Sequence, residues 1–215
     1  MKYVKPINEF WGDVLKRDLL GETREEDKFR SKDDLIKHLK YEIKKQGKNV
    51  VIQDIDVSLI EDLSGLFCGI TNGVKSLDLS GWRTSGAKNM SGMFWGGSTI
   101  ESLNVSGWDT SNVKNMCSVF YGCKSLKSID LSSWDTSNVT EMCNMFFDCM
   151  SLKSLDLSVW KTPNVENISW MFGCCRNLAS LNLSGWDTPK LKITHSPFYD
   201  CPAPYEVINN KIVKK

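Results

Sequence analysis

Long apolar runs are missing from this 215-residue chain. No stretch reaches the roughly 18 consecutive apolar residues of a membrane helix, so no membrane insertion is expected. Histidine is scarce: only His38 and His195 are present, which leaves most metal and catalytic schemes short of parts. Neither charge sign dominates, with 27 Lys and Arg against 26 Asp and Glu. That balance excludes a nucleic-acid binder working by bulk electrostatics. The 8 cysteines fall well short of the ~8–10% seen in disulfide scaffolds. The opening MKYVKPINEFWGDVLKRD has no apolar stretch followed by a small-residue cleavage site, so no secretory signal peptide is expected there. What is present excludes disorder: 41% hydrophobic residues, with 8 Trp and 9 Phe.

Charge is unevenly placed. Of the first 54 residues 24 are charged, against 29 of the following 161. A boundary near residue 50 follows, between a charged amphipathic segment and something built differently.

The difference is an internal repeat. Trp82, Trp108, Trp134, Trp160 and Trp186 are each 26 residues apart. Phe94, Phe120, Phe146, Phe172 and Phe198 keep the same step, as do Thr84, Thr110, Thr136, Thr162 and Thr188, and Cys123, Cys149, Cys175 and Cys201. Columns of different chemistry sharing one period define stacked coils. Within a coil, Ser128-Ile129-Asp130-Leu131-Ser132 alternates polar and apolar, as a half-buried strand does. The following SerTrpAspThrSerAsn at 133–138 is a turn. Val139, Met142, Met145 and Phe146 then recur at helical spacing, with Ser137 or Asn138 available as N-cap. The expected fold class is therefore α/β: a leucine-rich-repeat solenoid with 26-residue coils, each a short parallel strand plus a short helix.

Open solenoid ends need covers. Residues 1–49 are expected to form a helical N-terminal cap, with one helix marked by Ile7, Phe10, Trp11, Val14 and Leu15. A second is marked by Leu35, Ile36, Leu39 and Ile43, with Ser31 as N-cap and Gly47 as its stop. The solenoid proper is expected over 50–201, as one degenerate and five regular coils. Val50-Val51-Ile52 begins the first strand, and Ile55-Asp56-Val57-Ser58 is read as the repeat strand of the degenerate coil. Residues 202–215, with apolar residues alternating around Asn209-Asn210, are expected to close the far end.

The LDLSGWDTSNV-type turns, followed by Met142, Met145-Phe146, Cys149 and Leu152, resemble the BspA-like leucine-rich-repeat family of bacterial surface proteins. So does the entry segment DDLIKHLKYEI at 33–43 with IDVSLIEDLSGLF at 55–67. The likeness covers about residues 31–201. It implies a solenoid that binds other molecules, commonly host or matrix proteins, at a cell surface or after secretion, and it implies no catalysis. The absence of a visible leader departs from those relatives and keeps a cytoplasmic location as the alternative.

Several columns invite a functional reading. The Trp ladder offers an aromatic strip for carbohydrate or peptide, but regular occupancy in every coil is what packing requires; the Phe ladder is read the same way. Cys123, Cys149, Cys175 and Cys201, with the shorter column Cys117 and Cys143, suggest metal or disulfides. Parallel side chains point the same way and no His stands at ligand spacing, so a reduced thiol ladder and no metal are expected. The Thr column suits turn hydrogen bonding. His195 is read as a terminal irregularity, and Lys211, Lys214 and Lys215 as too few for nucleic acid.

The outward strand positions remain. Asp78, Asn104, Asp130, Asp156 and Asn182 alternate with the apolar residues, flanked by Ser76, Ser102, Ser128, Ser154 and Ser180. They make a polar, mildly acidic concave face and the expected partner-binding surface. Adjacent Asp130 and Asp156 repel, which a cation or a basic partner relieves. The expected function is non-enzymatic recognition of a protein by a monomer without cofactor, since no Ser–His–Asp, Cys–His or phosphate-loop pattern is visible. A scaffold inside a cell and a structural surface array are the alternatives.

Overall fold

The structure, a computed structural model, describes residues 28–208 and 211–214. Helix α1 spans Lys32–Gln46. The Ser31 side chain accepts the Asp34 N–H at 3.1 Å and Asp33 and Asp34 lie at the positive end of the dipole. Gly47 ends the helix with φ 76°, a left-handed turn in which its N–H donates to the Ile43 carbonyl at 2.9 Å. Leu35, Leu39 and Ile43, four residues apart, form its buried stripe. The helix expected around Phe10 and Trp11 lies outside the described residues.

Strands β1 (Asn49–Val51), β2 (Ser76–Asp78) and β3 (Ser102–Asn104) pair in parallel, as do β4 (Ser154–Asp156) and β5 (Ser180–Asn182). Leu77 faces Leu103, and Leu155 faces Leu181, so partners stand one sequence repeat apart. In each strand the middle Leu or Val is buried and its neighbours are not, as the two-residue alternation requires.

The first coil is placed differently from the sequence expectation. Its strand is Asn49–Val51, opposite Ser76–Asp78, while Asp56 lies opposite Arg83 and Asp62 opposite Asn89. Residues 55–58 are therefore level with the Trp82 turn, not with a repeat strand. Partners here stand 27 residues apart, so the coil carries one residue more than the repeat throughout.

A second correction concerns the per-coil helices, which the described residues do not contain. In their place is a second parallel ladder, running from Asp62 through Asn89, Asn115, Glu141 and Asn167 to Ile193. Met142, Asn144 and Phe146 send their N–H groups to Asn167, Ser169 and Met171 of the next coil at 2.8–2.9 Å, instead of four residues back along the chain. Ser118 (φ 60°) and Asn144 (φ 55°) are left-handed, which breaks any helix and lets turns present the same apolar side chains inward. The helical spacing of Val139, Met142 and Phe146 was real, but consecutive tight turns satisfy it equally well.

A third concerns Ser128–Ser132, the clearest alternation in the sequence, which forms no strand. Two local features bracket it. Before it, Gly81 (φ 72°) and Gly107 (φ 81°) take a left-handed turn, and Gly81 extends its ladder by donating to the Ser106 carbonyl at 3.0 Å. Ser133 and Val159 replace glycine and do not adopt that conformation. Their coils turn tightly instead, with Trp134 N–H to Leu131 O and Trp160 N–H to Leu157 O, both 3.1 Å. After it, Asp130 would have to stand beside Asp156, whereas the paired strands set Asp78 against Asn104 and Asp156 against Asn182.

Between the two ladders lies the core. Trp82, Trp108, Trp134 and Trp160 are buried and stack at 5.8–6.4 Å, and Phe67, Phe94, Phe120, Phe146 and Phe172 stack beside them at 5.1–5.7 Å. Trp186 and Phe198 continue both columns half-buried. Burying one Phe contributes roughly 1.5–3 kcal/mol, and each ring is covered by its counterparts in adjacent coils, so stability comes from stacking. β6 (Tyr205–Ile208) and β7 (Lys211–Lys214) form an antiparallel hairpin. Tyr205 joins it to the last coil, its ring 6.0 Å from Phe198 and its hydroxyl accepting the Leu183 N–H at 3.3 Å.

Candidate functional site

The strand-face carboxylates and amides all do one structural job. The Oδ1 atoms of Asp78, Asn104, Asp130, Asp156 and Asn182 each accept the N–H two residues on, from Ser80, Ser106, Ser132, Ser158 and Ser184, at 2.9–3.2 Å. These bonds close the turn after each strand. The backbone and hydroxyl of Ser132 hold the Asp130 carboxyl below its ordinary value, and the hydroxyl and backbone of Ser158 do the same for Asp156. Both are exposed and charged at neutral pH. Ser102, Ser128, Ser154 and Ser180 are exposed beside them, and Ser76, half-buried, donates to Asn49 Oδ1 at 3.0 Å.

Where pairing lapses, the face opens. A shallow cleft of about 350 Å³ lies between residues 128–132 and 154–159, with Asp130 and Asp156 on opposite sides and Ile129 and Leu155 in its wall. Neither carboxylate forms an ion pair among the described residues. Elsewhere acidic groups are neutralised by basic ones in register: Glu101 accepts from Lys75 at 2.7 Å and Lys127 at 2.6 Å, which pull its carboxyl down to about 2.

The Trp and Thr columns are interior. Trp82, Trp108, Trp160 and Trp186 donate their indole N–H to Ile52, Leu79, Leu131 and Leu157 carbonyls of the preceding coil at 2.6–3.1 Å. Thr84, Thr110, Thr136 and Thr162, all buried, donate to the carbonyls of Asp109, Asp135, Lys161 and Asp187 in the next coil at 2.8–3.0 Å. Trp134 is the exception: its buried indole N–H has no acceptor. By its position it would reach the Val105 carbonyl, across the junction where strand pairing stops.

The cysteines divide. Cys123, Cys149 and Cys175 are buried, with their thiols donating to Phe94, Phe120 and Phe146 carbonyls at 3.0–3.4 Å. Burial pushes the Cys123 thiol up to about 12 and the other two upward as well. Cys201 continues this column half-buried, and Cys68 and Cys174 are also free. Cys117 and Cys143, by contrast, form a disulfide, which corrects the expectation of a wholly reduced ladder. They lie at the second ladder, where one β-rung brings their Cα atoms to 4.6 Å, within bridging range. The Cys143 N–H points at Cys117 Sγ (3.2 Å), because Glu141 replaces the Asn that accepts the corresponding N–H in neighbouring coils. Glu141 and the two sulfurs lie within 4.8 Å of one another, but the sulfurs are bonded together and offer no separate thiolates to a metal. His195 sits in the same column, its N–H donating to Ser169 Oγ at 3.2 Å and its Nδ1 3.5 Å from that oxygen; Ser169 is buried.

One surface was missed from the sequence. Trp95, Tyr121 and Phe147 recur every 26 residues, and Tyr199 continues the column beyond Gly173. A side chain at 173 would strike the Phe147 ring, with a Cβ only 2.8 Å from its Cδ2. Trp170 fills that gap from three residues earlier. The result is a continuous outer row, with centroids 5.7 Å from Trp95 to Tyr121, then 5.1 Å to Phe147, 6.4 Å to Trp170 and 5.5 Å to Tyr199. Trp95 is 53% exposed, Trp170 36% and Tyr199 57%. Trp170 holds φ 57°, at a position occupied by Gly92, Ser118, Asn144 and Ser196 in other coils. A left-handed backbone costs a side-chain-bearing residue roughly 1–2 kcal/mol, and such cost clusters at functional positions. Beyond Tyr199 lies a shallow pocket of about 430 Å³ lined by Arg176, Asp200, Cys201 and Pro202, with Arg176 Nε 2.6 Å from Asp200 Oδ2.

Stacked parallel strands, columns of like residues and open polar and aromatic faces define a repeat protein. The family model described as "Mycoplasma protein of unknown function, DUF285" matches residues 37–129 and again 98–211, more than half of the chain. The chain belongs to that family. No curated protein and no solved structure matches it significantly. Among the described residues, no helix is long and apolar enough to cross a membrane.

Proposed function

We propose that this protein is a non-enzymatic recognition module of the BspA-like leucine-rich-repeat kind, holding a protein partner on its concave strand face. The observation that carries the reading is the cleft between residues 128–132 and 154–159, where Asp130 and Asp156 are both ionised and unpaired. A basic segment of a partner would meet two carboxylates that no basic side chain among the described residues neutralises, with exposed serine hydroxyls beside them for hydrogen bonds. Strand-face residues elsewhere add shape more than energy. By its likeness to surface repeat proteins, the partner is a host or matrix protein and the site of action a cell surface or the space beyond it. The protein acts as a monomer and needs no cofactor.

The test is binding of the full chain to purified matrix proteins at low and high salt, beside the variant D130K/D156K. Binding that weakens with salt and is lost in a variant with an unchanged circular dichroism spectrum is expected. Unaltered binding by the variant would remove the cleft from the site. Protease treatment of intact source cells, with a cytosolic protein as control, checks the location: loss of this protein alone is expected, and protection until lysis would favour a scaffold inside the cell.

A further inference from the structure

We propose that the outer aromatic row, Trp95–Tyr121–Phe147–Trp170–Tyr199, is a second binding surface whose ligand is a neutral, linear polysaccharide. It is separate from the strand-face reading and does not depend on it.

Three observations select this ligand. The first is spacing. Successive ring centroids are 5.1–6.4 Å apart. Parallel rungs recur at about 4.8 Å, and a hexopyranose unit in an extended chain advances by a similar length, so each coil can meet one sugar. Side chains on one face of an extended peptide recur at about 6.6 Å, and those of a polyproline helix at about 9.3 Å per turn. Both drift out of register along five rings. The second is charge. The groups flanking the row neutralise one another, Lys124 with Asp148 at 3.2 Å and Arg176 with Asp200 at 2.6 Å, so neither an anionic polymer nor a basic peptide is favoured. The third is the orientation of Trp170, turned edge-to-face against both Phe147 (71°) and Tyr199 (71°). Its plane is thus set across those of its neighbours, giving the C–H face of a sugar a platform that rings stacked in parallel lack. Next to Tyr199 in the chain, the Arg176–Asp200 pair offers a donor fork and an acceptor to sugar hydroxyls, in a pocket of about 430 Å³.

A Trp at the repeat's left-handed position 170 and a side-chain-free Gly173 then have one explanation: together they keep the row unbroken across the coil in which its own column lapses.

Affinity electrophoresis of the full chain in native gels containing hydroxyethyl cellulose, soluble β-glucan, galactomannan or dextran tests this, with dextran sulfate as the charged comparison. Retardation in at least one neutral gel is expected, with affinity reduced about tenfold in W95A and in W170A. Trp95 is more than half exposed, so W95A keeps the fold even if W170A does not. G173A, which displaces the Phe147 ring without deleting any aromatic, should weaken retardation too. The strand-face variant D130K/D156K should bind the glycan as the parent does, which separates failure here from failure of the protein-binding reading. No retardation in any neutral gel overturns the proposal, as does retardation that W95A and G173A leave unchanged. Retardation by dextran sulfate alone, or loss only in D130K/D156K, likewise overturns it. Competition of the row by a proline-rich peptide but by no glycan would show that its ligand is a protein.

Discussion

Cys117 and Cys143 are joined by a disulfide across the junction at which the strand at residues 102–104 finds no partner strand in residues 128–132. The second ladder is intact there, Asn115 facing Glu141, so the covalent link reinforces the side that still holds. The loop it closes spans a separation of 26 residues. A loop of that size contributes roughly 3–4 kcal/mol on chain-entropy grounds. Urea unfolding with and without a phosphine reductant should show a loss of that order, and C117S/C143S should match the reduced protein. Labelling of unfolded, unreduced protein should count six thiols, rising to eight on reduction. A count of eight before reduction would mean that the bond does not form.

How much of this was legible beforehand depends on which interaction did the deciding. The period, the buried Trp, Phe and Thr columns, α1 with its Ser31 cap and the strands around Leu77, Leu103, Leu155 and Leu181 follow from local pattern, and the sequence displays local pattern directly. The helices expected after each Trp turn did not form, because Val139, Met142 and Phe146 satisfy a helix and a chain of tight turns equally. What decides is the left-handed residue, and Ser118 or Asn144 advertises that only weakly. The strand at 128–132 was lost to neighbours in space, Ser133 against Gly107 and Asp130 against Asp156. The aromatic row was overlooked because its column is imperfect: Trp, Tyr, Phe, a gap at Gly173, then Tyr199. A search tolerant of one missing member would have found it.

Trp134 offers a clean test of the junction. Its indole N–H is buried without a partner, whereas Trp108 and Trp160 donate to carbonyls at 2.8 and 3.1 Å. An unmet buried donor costs about 1–3 kcal/mol, and a satisfied one gives back about 1 kcal/mol. W134F carries the cost of the smaller ring but removes the orphan donor, so it should cost less than the same change at 108 or 160. W108F and W160F should each destabilise by about 1 kcal/mol beyond the cost of the smaller ring. Equilibrium denaturation of the three variants decides it; equal losses would show that Trp134 finds an acceptor in solution.

The threonines tie each coil to the one after it, so the effect of removing a hydroxyl should depend on position. T110V deletes a part-buried bond to Asp135 O at 3.0 Å. A loss of about 0.5–1.5 kcal/mol is expected. Thr188 is half-buried in the last coil, so T188V should change stability by less than about 0.5 kcal/mol. Thermal melts of the pair measure the difference, and similar shifts would mean that the hydroxyls do not link coils.

Acid should weaken the array through Glu101. Lys127 and Lys75 hydrogen-bond its carboxylate and hold it at about 2, against an ordinary 4.5. A depressed folded value means that the unfolded chain binds the proton first, so the stabilisation is complete above about 4.5 and is lost as pH falls toward 2. The carboxylate lies part-exposed at the surface, so the amplitude is small and shrinks with salt. Asp130 and Asp156 carry the same sign, lowered by Ser132 and Ser158, but there the turn bond survives a change to Asn, as Asn104 and Asn182 already show. E101Q should therefore flatten part of the acid limb of the stability curve at low salt. D130N/D156N should flatten another part while preserving the turns and removing both charges from the cleft. If D130N/D156N also restores amide protection from hydrogen exchange to residues 128–132, charge is what keeps those strands apart; unchanged exchange would leave the Gly107-to-Ser133 switch as the cause.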